Sequence, residues 1–377
     1  MIRVLCDAIH ADLWESLRLL FEVRLGWELY RPIGMEWRDK GIWNFERHQP
    51  YGEGVAHQFL DPWASDTPNH AHGHDCWCGP QDRHEVRASD PELGAFTERV
   101  DTTHPGRVIR LVTHEQARSQ PWDLVLATLA ENEQGLWQFA QEVGAHYGIQ
   151  VGNQGAANLW PIAEFGLLSV TTPGLTPWKP HVYYRQEFSL EDFAPDRGAI
   201  AEPDLVMNRV QCTSQTPDHE RWRRMAAAVP EARFRWYGHC EPRDEWFGGS
   251  DETTPLVAGS MHRARIAWHP KRWSDGYGHV IHNWFSIGRP VIASAGYYAD
   301  KLAGPLFLEG TTSFDMDRLS DAELAGTVRM LLHDEDRWLR MCVASAERFR
   351  AVVDFDAEAA EIRAMLENVM SDRLVGR

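Results

Sequence analysis

Residues 275–292 read Asp-Gly-Tyr-Gly-His-Val-Ile-His-Asn-Trp-Phe-Ser-Ile-Gly-Arg-Pro-Val-Ile, a stretch whose residue types suit it to hold an anion. Gly276 and Gly278 flank Tyr277. They permit a tight turn and let a ligand approach the backbone closely. A helix starting at His279 would aim its unpaired N–H groups and the positive end of its dipole at that turn, which attracts phosphate. His279 and His282 are placed to donate to phosphate oxygens. Asn283 stands at i+4 from His279 and shares its face. Gly288 ends the helix, and Pro290, Val291 and Ile292 open a strand. A loop, helix and strand of this kind suit a nucleotide diphosphate.

Other residues could complete such a site. Lys271 and Arg272 follow an apolar strand at 265–269, where a cation would offset the charge of a leaving diphosphate. A solvated loop charge is the alternative. Arg209 ends the first strand of the second half in the same way. Asp7 and His10 lie at the first strand-to-helix turn, and either could take a proton from a hydroxyl. His70, His72, His74, Cys76 and Cys78 are zinc ligands by type, although their spacing matches no standard finger. They read as a structural zinc clip or as a flexible polar loop. The chain has 17 Trp, several of them in loop-like segments, which suit sugar or base stacking as well as core packing.

The elements that must position these groups alternate. Arg3–Cys6 reads as a strand, a helix carries Leu13, Leu17 and Leu20, and Trp27–Tyr30 reads as a second strand, so the chain opens β-α-β. Residues 31–105, rich in Trp, His, Pro and Gly, read as a long irregular excursion. The alternation resumes near Val108, breaks over the proline-rich stretch 173–204, and restarts at Leu205. Ser320 and Glu323 form a capping box that opens a helical tail. With 377 residues, the expected organisation is α/β with two Rossmann-like domains facing each other across a cleft. The first spans 1–190 and carries the insertion, the second spans 191–355, and a C-terminal helix covers 356–377.

Composition narrows the class. At 43% hydrophobic and 25% charged residues the chain is globular, and no apolar run approaches the length of a membrane span. A net charge of −17 argues against a general polyanion binder. Six cysteines are too few for a disulfide scaffold. Asp7 and Asp12 interrupt the N-terminus where a secretory signal would be apolar. The expectation is a cytoplasmic protein without membrane insertion.

The segment 275–292 resembles the donor-binding signature of GT-B glycosyltransferases. In that signature a carboxylate opens a Gly-aromatic-Gly turn, a second acid follows, and a Gly-x-Pro-Val-Ile strand closes the unit. Asp275 stands at the first acid, and Gly276, Tyr277 and Gly278 at the turn. Asn283 stands where the family has the second acid, which holds the ribose hydroxyls. Its amide offers the diol an acceptor and two donors but no charge. The resemblance implies a UDP-linked nucleotide sugar in the C-terminal domain, an acceptor in the N-terminal domain, and transfer without a catalytic metal. Asp275 would lie near the transferred sugar, favouring retention. Two acceptors fit: a glycan or small molecule, or a hydroxymethylated pyrimidine in DNA as in phage DNA glycosyltransferases. Arg223 and Arg224 keep DNA open. A nucleotide-sugar 2-epimerase and a non-catalytic nucleotide-sugar sensor are the alternatives on the same architecture.

Overall fold

The computed structural model describes residues 1–8, 11–32, 97–101, 104, 106–112, 114–128, 133–152, 163–170, 180–195, 202–209, 217–238, 245–249, 253–271 and 276–375. The chain forms two compact units, Met1–Phe188 together with Phe355–Arg377, and Ser189–Asp354.

The first unit is built on β1 (Arg3–Cys6), β2 (Glu28–Pro32), β3 (Thr97–Asp101), β4 (Arg107–Val112), β5 (Leu124–Ala127), β6 (His146–Val151), β7 (Phe165–Leu168) and β8 (His181–Tyr183). They lie in the order β3-β4-β2-β1-β5-β6-β7-β8. Every pairing is parallel except β3 with β4. Successive side chains of a strand point to opposite faces, and both faces of β1 are covered. Val4 and Cys6 pack among Trp14, Leu17 and Phe21. Leu5 packs on the other side with Val125, Phe139 and Tyr147.

The last helix, Phe355–Val375, returns to this unit and buries Ile362 and Leu366, one turn apart, against the Val4 face. Its Glu358 accepts from the Arg185 backbone N–H at 2.6 Å and pairs with the Arg185 guanidinium. Arg363 donates to the carbonyls of Arg24 and Leu25 at 3.2 and 3.0 Å, at the end of the π-helical turn Leu19–Arg24.

In the first unit two short strands lie where the sequence predicts none. β3 falls inside the stretch expected to be irregular. Its residues, Thr-Glu-Arg-Val-Asp, carry three charges and a single aliphatic side chain, so no hydrophobic period marks it. Its pairing to β4 at the sheet edge makes it a strand. β8 lies within the proline-rich stretch 173–204, and only Val182 of its three residues is buried.

The second unit contains β9 (Leu205–Asn208), β10 (Arg233–Tyr237), β11 (Phe247–Gly249), β12 (Ile266–His269), β13 (Val291–Ala293) and β14 (Ser313–Asp315). Their order is β11-β10-β9-β12-β13-β14 and every pairing is parallel. This is the doubly wound Rossmann order, in which the first strand of the sheet neighbours the fourth. The strand β9 and β12 cores close over Trp222, Phe234 and Trp268, which meet edge to face at centroid separations of 4.9 to 6.2 Å. Helix Asp321–His333 opens with the expected capping box, Ser320 accepting from the Glu323 N–H and Glu323 accepting from the Ser320 N–H.

At the opposite end of the strands, buried Arg289 donates to the carbonyls of Ala264 and His262 at 2.7 and 2.6 Å. Arg265 donates to Leu331 O at 3.0 Å and lies 4.2 Å from the Trp338 ring centroid. These cations satisfy carbonyls where helices end, the charge sign a helix C-terminus favours.

Candidate functional site

In a doubly wound sheet, ligands bind beyond the carboxyl ends of the strands where the strand order reverses. In the second unit that point lies between β9 and β12. Arg209 follows β9 directly, is half-buried, and donates from Nη1 to Ser260 Oγ at 3.1 Å. Lys271 follows β12 two residues after its end and is half-buried. The sheet thus brings Arg209 and Lys271 to the end where a ligand would sit.

Gly278 is the N-cap of helix His279–Ser286, with φ 79° and ψ 48°. This is the left-handed region, which residues with a Cβ avoid. The Gly278 carbonyl is held twice. It accepts from the His282 backbone N–H at 3.1 Å and from His282 Nδ1 at 2.9 Å. The carbonyl can only accept, so the His282 proton is on Nδ1. The His282 ring lies against Tyr277, with centroids 4.3 Å apart and planes 16° apart. Both side chains are buried. The ring expected to reach phosphate from His282 is therefore turned inward and holds the turn that presents the helix end. His279, half-buried at the first helical position, stays beside that end.

Asn283 is 3% exposed, and its Oδ1 has no hydrogen-bond partner among the described residues. A buried acceptor left without a donor is rare and costs the fold. The amide one turn into the helix is thus suited to receive a ligand hydroxyl.

Two residues that the sequence does not single out complete the frame. Tyr298 donates from its hydroxyl to Lys271 O at 3.4 Å, and the same hydroxyl oxygen accepts from His269 Nε2 at 2.8 Å. A Cβ built on Gly278 would lie 3.1 Å from Tyr298 Cε1. One buried tyrosine therefore touches the end of β12, the carbonyl of Lys271 and the glycine turn. Its place just after the apolar strand Val291–Ala293 is the only sequence feature that marks it. Cys342 lies on helix Glu335–Val352, where burial pushes its thiol up to about 12.

Asp275, Arg272, His10 and the cluster His70, His72, His74, Cys76 and Cys78 lie outside the described residues. Among the described residues no group of His, Cys, Asp or Glu is placed to hold a metal ion. Asp7 is buried at the end of β1, and its Oδ1 accepts from the Thr128 N–H at 2.6 Å and hydroxyl at 2.9 Å. It ties β1 to β5 at the equivalent reversal point of the first sheet. Arg224 pairs with Asp321 at 2.7 Å, and Arg223 with Glu220 at 3.5 Å, so both carry their own counter-charges. No helix among the described residues is long and apolar enough to cross a membrane.

No family model and no curated protein matches the sequence. Solved structures do match the fold. HepE of Anabaena, solved with UDP and glucose, is 12% identical, with 98% of this chain and 100% of that one covered and a TM-score of 0.60. Sucrose-phosphate synthase of Thermosynechococcus elongatus is 12% identical over 99% and 100%, with a TM-score of 0.61. HepE solved with UDP-glucose is 11% identical over 98% and 100%, with a TM-score of 0.58. The chain has the GT-B fold, two Rossmann-like domains, as the resemblance in residues 275–292 implies.

Proposed function

With the GT-B fold as the premise, we propose that the chain is a glycosyltransferase that moves a sugar from a UDP-linked donor to a hydroxyl acceptor. The observation that carries this reading is the left-handed Gly278 turn, locked by His282, at the N-terminus of a helix on the ligand-binding end of the second sheet. That HepE is solved with UDP-glucose supports the choice of donor.

In this reading the helix end and Gly276 to His279 hold the diphosphate. Lys271 and Arg209 offset its charge as the bond between the anomeric carbon and the phosphate oxygen breaks. Asn283 takes the ribose diol, and Asp275 lies by the transferred sugar. Tyr277 and His282 shape the turn from within. The acceptor oxygen bonds to the anomeric carbon and gives up its proton. In an inverting transfer His10 is the group assigned to receive that proton; Asp7, whose Oδ1 accepts from Thr128, positions the turn. The acceptor is a glycan, another small hydroxyl compound, or a hydroxymethylated base in DNA. The protein acts where UDP-sugars are made, in the cytoplasm.

Thermal-shift measurement with UDP and UDP-sugars tests the reading, because a ligand that binds the native state raises its stability. UDP and UDP-glucose are expected to raise the melting temperature, and unchanged melting with both counts against it. Incubation with donor alone separates the rival: an epimerised sugar nucleotide would identify an epimerase.

Two further results are expected. Asn283→Leu should weaken UDP by about tenfold, the scale of one lost hydrogen bond. It should also leave the ligand-free protein as stable as before or more so, since an unpaired buried acceptor is removed. Urea unfolding beside a UDP titration reads both. Transfer should also persist in excess EDTA, because backbone dipoles and two cations meet the leaving charge. Activity lost to EDTA and restored by a divalent cation would contradict this.

A further inference from the structure

We propose that the carboxyl edge of the first sheet binds an uncharged, polyhydroxylated acceptor through Gln150, Ser169 and Gln186, grouped around Gly152. The proposal rests on the glycosyltransferase reading above and narrows its acceptor to a carbohydrate.

These residues sit at the ends of three adjacent strands. Gln150 is the penultimate residue of β6, and Ser169 directly follows β7. Gln186 lies shortly after β8. The ladder continues past the strands, with Ser169 N–H on Val151 O and Tyr184 N–H on Leu168 O, both at 2.9 Å. Gln150 Nε2 donates to Ser169 Oγ at 3.4 Å. A Cβ built on Gly152 would stand 3.4 Å from Gln186 Nε2, 3.5 Å from Gln150 Nε2 and 3.7 Å from Gln150 Oε1. Two amide heads therefore converge on a residue that has no side chain. Gly152 is half-buried, so solvent reaches this point, whereas Gln150 is 2% and Ser169 0% exposed.

Gln150 Oε1 has no hydrogen-bond partner among the described residues. A buried acceptor of this kind destabilises the fold unless a donor is supplied. A sugar hydroxyl supplies one, and its oxygen can accept from an amide N–H in return. Tyr184 lies on the same edge, and burial pushes its phenol well above the ordinary range, so it keeps its proton. The formal charges nearby are matched within the unit. Arg185 pairs with Glu358, and Glu187 with Arg24. Neutral dipoles in donor and acceptor pairs fit carbohydrate, whereas a nucleic-acid backbone is met chiefly by cations.

The test uses the full chain in the presence of UDP. Maltose and methyl β-glucoside are the uncharged probes, and a hydroxymethylcytosine DNA duplex is the anionic one. Calorimetry should show at least one of the sugars binding. Gln150→Met should weaken that sugar by about tenfold, with UDP affinity unchanged and melting unchanged or higher. Gln186→Met provides a second reading should Gln150→Met fail to fold, and should weaken the same sugar. Sugar affinity unchanged in the folded variants overturns the proposal, as does binding of the duplex in preference to both sugars. Intact UDP binding with neither sugar bound refutes this proposal alone. Failure of the wild-type protein to bind UDP refutes the donor reading instead.

Discussion

UDP affinity is expected to fall by about a hundredfold or more in Gly278→Val, equivalent to roughly 3 kcal/mol. Gly278 holds φ at 79°, where a β-branched residue is a steric outlier. Keeping that conformation costs of order 1–3 kcal/mol. The new Cβ would also press on Tyr298 Cε1 at 3.1 Å, and two methyl groups would follow it toward that ring. The turn relieves this only by rotating its peptides, which re-aims the N–H groups at the helix start. Gly278→Ala shares the backbone cost but carries no branch, so a smaller loss is expected. Calorimetric titration with UDP on both variants, with circular dichroism as the folding control, reads the series. Equal UDP affinity in wild type and Gly278→Val would remove the turn from the site.

Gly288→Val should produce the largest loss of stability, about 3–5 kcal/mol when strain and overpacking are combined. Gly288 holds φ at 73°, and a Cβ there would stand 2.8 Å from the Cys342 carbonyl oxygen and 3.3 Å from Ala346 Cβ. Both belong to helix Glu335–Val352, which packs on helix His279–Ser286. A backbone carbonyl within a helix cannot swing aside as a side-chain tip can, so the two helices must separate. A native domain has only about 5–15 kcal/mol in hand. The expected result is a markedly lower melting temperature for the second unit, with UDP binding lost along with the packing. Wild-type melting would show that the close approach is not needed.

The loop, helix and strand proposed to hold the donor were legible because their parts are local in sequence. Gly276, Gly278, Gly288 and Pro290 punctuate one loop-helix-strand unit, and the helix forms where the spacing predicts it. The inward turn of His282 was not legible. Its position at i+4 from Gly278 suits a contact with that carbonyl as well as an outward one, and stacking on Tyr277 decides between them. Tyr298 was missed for a different reason. Its partners, His269 and Lys271, come from an adjacent strand's end, and only the parallel register of β12 and β13 brings them together. The amides of the first unit follow the same rule. Gln150, Ser169 and Gln186 are unremarkable in sequence and become neighbours through the ladder of β6, β7 and β8. β3 escaped because edge pairing, rather than hydrophobic period, makes it a strand.

The claim on which the donor site depends is that backbone N–H groups at the start of helix His279–Ser286 hold the diphosphate of a bound nucleotide. It is tested most directly by comparing the amide resonances of Gly278, His279 and Val280 on titration with UDP and with uridine. UDP should shift all three strongly, and uridine, which lacks the phosphates, should leave them nearly in place. Saturating UDP that leaves these amides unmoved would place the phosphates elsewhere and contradict the site.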